Sequence, residues 1–223
     1  MYSKMSSNFK KAIIIGGSKG IGQQISQNIK SLGIKTYSCS RNEIDTSDLA
    51  SVKKFVLKHK STDILVLNSG GPPPLKLSKI SINDWKKYFN QLFLSFFILL
   101  QKIKINKNGY IFYISSSIIK EPGDELIISS SLRPAMSSLL KSVSISNSKK
   151  NISTINIAPG PFKTRRIKEL VKDIKKMEKS LPTGKIGDPK EIGLFVKFVI
   201  KNKIKYISGS TVYFDGNINK SYL

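Results

Sequence analysis

Cysteine and histidine are almost absent from this sequence: Cys39 and His59 are the only ones. A lone cysteine forms no disulfide within the chain, and one thiol with one imidazole cannot build a zinc site, so no metal is expected. Cys39 lies in an apolar segment and reads as a small core residue. His59, in "FVLKHKSTD", reads as a solvated residue at a helix end. A Ser-His-Asp hydrolase would have to use it, and no partner stands nearby.

Long apolar runs are missing too. The longest, "LFLSFFILL" at 92–100, has nine residues, and a spanning helix needs about twenty. The N-terminal "MYSKMSSNFKK" lacks the apolar core of a secretory leader. A cytoplasmic protein without membrane attachment is expected.

Acidic residues are scarce: 14 against 38 Lys and Arg, a net charge of +24. Such an excess reads either as a nucleic-acid or membrane-surface binder or as lysines scattered over solvated faces. The lysines are dispersed, and neither zinc-finger spacing, RNA-binding aromatics nor a recognition helix occurs. The second reading is preferred, with no specific nucleic-acid partner.

What the chain does have is alternation. Apolar strand-like runs occupy 11–16, 35–40, 63–68, 110–115, 152–158 and 211–214. Helical patterns fill 20–32, 48–59, 82–104, 130–147, 166–179 and 189–201. The strands are mostly continuous apolar runs rather than alternating ones, as strands buried on both faces are. The 223 residues suit one domain spanning 1–223. The expected fold is α/β: a single doubly wound, Rossmann-like domain, its mostly parallel sheet of six to seven strands covered by helices on both faces.

"IIIGGSKGIG" at 13–22 is the strongest local signal. A buried strand runs into Gly16, Ser18, Lys19, Gly20, Ile21 and Gly22, and a helix follows. Glycine permits a tight turn and close approach of backbone to a pyrophosphate, and the helix N-terminus offers free N–H groups.

The Gly-x3-Gly-x-Gly spacing resembles the short-chain dehydrogenase/reductase family. "DILVLNSGG" (63–71), "YISSS" (113–117), "IAPGPFKT" (157–164) and "GKIGDPKEIGLFVKFVI" with "ISGSTVYFDG" resemble further segments of that family in order. "NSGGPPP" and "SLR" resemble a divergent subgroup described as 3-oxoacyl-carrier-protein reductase-like. The resemblance implies cofactor contacts at Asn68, Gly70, Pro159, Gly160 and Thr164. It also implies a homodimer or homotetramer built partly on the 92–100 helix.

An acid ending the second strand would bind the ribose of NAD. Here "CSRNE" brings Arg41, and Lys19 stands before the second glycine. Two cations favour the 2′-phosphate, so NADP(H) is preferred over NAD(H). "IDTSD" follows too soon for another helix and strand, suggesting a six-stranded sheet with a shortened edge and Asp45 near the adenine.

The family pattern implies a serine, a tyrosine thirteen residues on and a lysine four later. Ser116 fits the serine position; the others hold Ser129 and Arg133. In the long central helix, Leu92 stands at the asparagine position, with Asn90 and Gln91 beside it. A serine is far less acidic than a phenol of pKa about 10, and arginine cannot relay a proton. Asp124, Glu125 or a water could replace the acid.

Two main readings follow. One is an NADP(H)-dependent oxidoreductase acting on a small or carrier-linked carbonyl or secondary alcohol, with a basic substrate lid at about 163–187. The alternative is a catalytically impaired cofactor-binding or scaffolding homologue. Adventitious RNA binding through the charge is a weaker third, and its mark would be steep salt dependence.

Overall fold

Every second residue of the central strands enters the same core, as the two-residue period of a strand requires. Ile13, Ile15, Leu65, Leu67, Ile111 and Tyr113 join one apolar cluster, while Ala12, Ile14, Ile64, Val66, Tyr110 and Phe112 join the other. A sheet buried on both faces results. The computed structural model describes residues 9–221; the first eight residues, part of the stretch read above for a leader, fall outside the described residues.

The strands are β1 (Lys11–Ile15), β2 (Lys35–Cys39), β3 (Ser61–Leu67), β4 (Lys104–Ile114), β5 (Ser153–Pro159) and β6 (Ser210–Phe214). They form one parallel sheet of order β2-β1-β3-β4-β5-β6. The helices are α1 (Gly20–Lys30), α2 (Leu49–Lys58), α3 (Ile82–Phe89), α4 (Ser95–Lys102), α5 (Ile127–Ser146), α6 (Arg165–Leu170), α7 (Ile174–Ser180) and α8 (Pro189–Lys201). Helices α1 and α8 cover one face through Ile25, Ile29, Ile192 and Val196. Helices α2, α4 and α5 cover the other through Val52, Phe96 and Met136. Each fully buried side chain of this size stabilises the fold by about 1.5–3 kcal/mol. No helix of the described residues is long and apolar enough to cross a membrane.

The winding reverses between β1 and β3. The chain leaves β1 towards β2, then crosses back to place β3 on the other side of β1. Loops after β1 and β3 therefore diverge and leave a crevice at the strands' carboxyl ends. Strands β2 and β6 are the sheet edges, and the strand count is six, the lower of the expected numbers.

Four expectations are corrected. The helix expected over 82–104 is two α-helices joined by a π-helical turn, Asn90–Leu94, and it ends at Lys102. Strand β4 then begins at Lys104, six residues before the expected start, because Ile105 pairs with Thr62 ahead of a bulge. The helix expected over 166–179 is broken into α6 and α7. His59 is half-buried rather than solvated, stacked on Phe55 at 4.3 Å and edge-on to Tyr37 at 5.4 Å. Cys39 is buried as expected, and burial with the nearby Glu43 charge pushes its thiol up to about 12.

Candidate functional site

The loop after β1 is built from glycine by necessity. Gly16 and Gly20 have φ of +63° and +54°, which disfavour any side chain. A Cβ on Gly22 would lie 2.1 Å from the Gly16 carbonyl oxygen and 2.7 Å from Nδ2 of Asn68. Asn68, at the end of β3, donates that Nδ2 proton to the Gly16 carbonyl at 2.9 Å, pinning the two diverging loops together. A Cβ on Gly20 would meet the Thr164 methyl at 3.2 Å, so the segment after β5 closes over the same loop. Helix α1 starts here without a side-chain cap or an acid in its first turn. Its first N–H groups and dipole therefore remain available to an anion.

Two adjoining cavities occupy the crevice. The inner one, about 400 Å³, is lined by Ile21, Pro159, Gly160 and Thr164 and by Ser116, Ser129 and Arg133. The outer one, about 530 Å³, holds Arg41 and Asp45. Gly16, Lys19, Asn68 and Gly70 line both. Ser18 is exposed and lines neither. Arg41 is exposed and lies 3.8 Å from Asp45, an ion pair of little worth in water. Burial raises the Asp45 carboxyl, but bonds from the Ser47 hydroxyl and N–H, with the Arg41 and Lys87 charges, leave it below its ordinary value.

Ser116 stands two residues beyond the end of β4, is half-buried, and has no hydrogen-bond partner for its hydroxyl among the described residues. Ser129 and Arg133 stand one turn apart on α5, hence on one face. Both are buried, at 4% and 5% exposure. Arg133 is a hub. Its Nε donates to Ser129 Oγ at 3.0 Å. Its Nη1 donates to the carbonyls of Ile114 at 3.1 Å and Ser115 at 2.9 Å, and its Nη2 to Ser69 at 3.3 Å. The guanidinium thus ties α5 to the ends of β3 and β4, and no carboxylate pairs with it among the described residues. Ser129 accepts from a cation, which polarises its hydroxyl and leaves its own proton free to donate. The Tyr113 phenol lies buried nearby. Burial raises its pKa, and the Arg133 charge opposes that. At 0% exposure it cannot touch a ligand. Asp124 and Glu125 are exposed and line neither cavity.

Sequence reading missed Gln91 and Arg166. The π turn brings the Gln91 amide inward, where Nε2 donates to Ser69 Oγ at 3.0 Å and to the Gly70 carbonyl at 2.8 Å. Leu92 packs instead with Ile128 and Leu132. Arg166 donates Nη2 to the Pro72 carbonyl at 2.5 Å, bridging α6 to the loop after β3. Among the described residues no cluster of His, Cys, Asp and Glu could hold a metal ion.

A family model described as enoyl-(acyl carrier protein) reductase matches residues 40–219. The chain belongs to the short-chain dehydrogenase/reductase family. The 3-oxoacyl-(acyl-carrier-protein) reductase FabG of Chlamydia muridarum is 26% identical over 241 residues, covering 94% of this chain and 97% of that one. The 7alpha-hydroxysteroid dehydrogenase of Escherichia coli is 25% identical over 238 residues, 93% of each. In fold, a short-chain dehydrogenase/reductase from Serratia marcescens BCRC 10948 matches with a TM-score of 0.82 at 22% identity, covering 95% and 98% of the two chains. A small-chain dehydrogenase in complex with NADPH matches at 0.81, also 22% identical, covering 94% and 98%. A short-chain dehydrogenase/reductase is an oxidoreductase, and the crevice has the donors such an enzyme needs: uncapped N–H groups at α1, cations at its mouth, and hydroxyls within.

Proposed function

We propose that this single domain is an NADP(H)-dependent oxidoreductase that acts on a carbonyl or secondary alcohol with a serine–arginine site in place of a tyrosine–lysine pair. One observation carries the reading: the glycine cradle at the switch point opens onto the cavity that holds Ser116, Ser129 and Arg133. The residues fit a dinucleotide. Gly16, Gly20 and Gly22 let backbone approach the phosphates, α1 offers them its N–H groups, and Asn68, Gly70, Pro159, Gly160 and Thr164 flank the inner end. The bound nicotinamide supplies or accepts the hydride.

The chain's own part is to hold the oxygen. Ser116 Oγ donates to it, and Ser129 Oγ, polarised by Arg133 Nε, donates a second bond. Preorganised donors of this kind stabilise developing charge on oxygen. In this reading segment 163–187 is the basic substrate lid, supported by Thr164, Arg165, Arg166, Ile167 and Leu170, which line the inner cavity. The test is NADPH-linked turnover across a panel of ketones. Ser116→Ala should lower kcat about 10²–10³-fold, the usual cost of one such donor, while cofactor affinity holds. No turnover of any carbonyl by a protein that binds NADPH would favour the impaired homologue. That second reading draws support from the burial of Ser129 and from the four hydrogen bonds that already engage Arg133.

Preference for NADPH rests on Lys19 and Arg41, which line the outer cavity together. Replacing both with Ala should weaken NADPH much more than NADH in fluorescence titrations, and added salt should reproduce part of the loss. Equal affinity of the unaltered protein for both cofactors would count against the assignment.

Self-association is supported by the outer surface. Ile82, Trp85, Phe89 and Phe97 are 36% to 72% exposed along α3 and α4. Large apolar side chains grouped on one face mark an interface. A dimer or tetramer is expected by light scattering at micromolar concentration, and a monodisperse monomer would refute it.

A further inference from the structure

We infer that Arg166 selects an anionic substrate: the inner cavity takes a small carbonyl compound bearing a carboxylate, an oxo acid, and Arg166 binds that carboxylate. The inference rests on the reading of the crevice as a cofactor and carbonyl site.

The inner cavity is lined by Lys19, Arg133, Arg165 and Arg166 and by no acidic residue. Two of these cations have other partners and a third faces solvent. Arg165 pairs with Glu169 at 2.8 Å. Arg133 is held by Ser129 and three backbone carbonyls. Lys19 is exposed beside the glycine loop. Arg166 spends Nη2 on Pro72 and has no carboxylate partner among the described residues.

Its setting makes this an unsatisfied cation. Arg166 is half-buried. Burial pulls its pKa below the ordinary guanidinium value; the Glu169 charge opposes that, and the Arg133 charge adds to it. Two guanidinium groups close together in a partly desolvated cleft repel each other, and an incoming anion relieves both. The Pro72 contact fixes the planar fork in advance, so little side-chain entropy is lost on binding. Arg166 lines both cavities, and Pro72, which holds its Nη2, lines the inner one and not the outer one, so the fork is anchored on the substrate side. Ile118, Leu126, Phe162 and Leu170 line the same cavity, an apolar wall for a short carbon chain. The cation fixes one end and Ser116 the carbonyl at the other.

The test is calorimetry on the full protein loaded with NADP+, which holds an oxo compound without turnover. Acetoacetate and laevulinate are compared with their methyl esters. The acids should bind about tenfold or more tightly than the esters, the value of a charge-assisted bond. Arg166→Ala should erase the difference, Arg166→Lys should keep part of it, and NADP+ affinity should stay within about twofold. No acid preference in the unaltered protein would overturn the inference, as would a preference that survives Arg166→Ala. A parallel fall in NADP+ affinity would also overturn it, by giving Arg166 to the cofactor's phosphates. If the unaltered protein fails to bind NADP+, the functional reading falls instead. The same comparison on the protein alone then decides: preference lost in Arg166→Ala sustains the inference, and absence of preference ends it.

Discussion

Gly22→Val should abolish NADPH binding while the fold survives. The first atom of any side chain there would sit 2.1 Å from the Gly16 carbonyl oxygen and 2.7 Å from the Asn68 amide. No heavy atoms approach so closely, so the loop must move, and it moves out of the position that receives the phosphates. Affinity should fall by at least about 100-fold, or some 2.7 kcal/mol. Gly22 is buried in the first turn of α1, one turn ahead of the Ile25 and Ile29 side chains that dock the helix on the sheet, which the substitution leaves unaltered. The variant should therefore keep a cooperative thermal transition and its circular dichroism. Gly20→Ala is the milder companion. Its φ is positive, and its Cβ would meet the Thr164 methyl at 3.2 Å. It should weaken binding less. Unchanged NADPH affinity in Gly22→Val would remove the loop from the cofactor site.

The second large effect concerns Arg133. Arg133→Ala should destabilise the protein as well as stop any chemistry. The substitution leaves three backbone carbonyls, those of Ser69, Ile114 and Ser115, without their donor. At about 1 kcal/mol for each unmade bond the loss is roughly 3 kcal/mol. In a chain of this size that lowers Tm by about 6–12 °C. Arg133→Lys should recover less than half, because an ammonium is a single point and cannot reach acceptors spread over two strands. A melting temperature unchanged in Arg133→Ala would show that the guanidinium does not tie the strand ends together. Ser129→Tyr with Arg133→Lys would then be the informative pair for activity, since it would restore a phenol at no structural expense.

The centre of the sheet was legible because β1, β3 and the second half of β4 carry runs of Ile, Val, Leu, Phe and Tyr that need no period to be seen. The glycine loop was legible for a different reason. Only glycine accepts the φ of Gly16 and Gly20, so the residue type itself reports the backbone. Three features were not. Strand β4 opens with the polar "KINKNG", and only its pairing of Ile105 with Thr62 identifies it as strand. Gln91 was named only as a neighbour of Leu92, which the family pattern put in the asparagine position, and it is the π turn at Asn90–Leu94 that carries the Gln91 amide to Ser69 and Gly70. Arg166 is one of 38 cations, and what distinguishes it is a contact with Pro72, 94 residues away. Ser129 and Arg133 lay between these cases. Their spacing predicted a shared helix face, while the role of Arg133 as a strand clamp depends on carbonyls that no sequence pattern marks.

The π turn also sets a phase. An α-helix advances about 100° per residue, and the wide turn at Asn90–Leu94 accommodates one residue more than the regular pitch. Helix α3 is therefore rotated relative to α4 by about one residue's worth of angle. Trp85 and Phe89 face outward while Leu92, Phe96 and Leu99 face the core. Deleting any one residue from 90–94 would restore the ordinary pitch and turn α3 by that angle. Its apolar outer face would swing sideways, and Gln91 would leave Ser69 and Gly70. The length of this segment is thus constrained to the single residue, and the outer surface and the inner crevice are geared to each other through it.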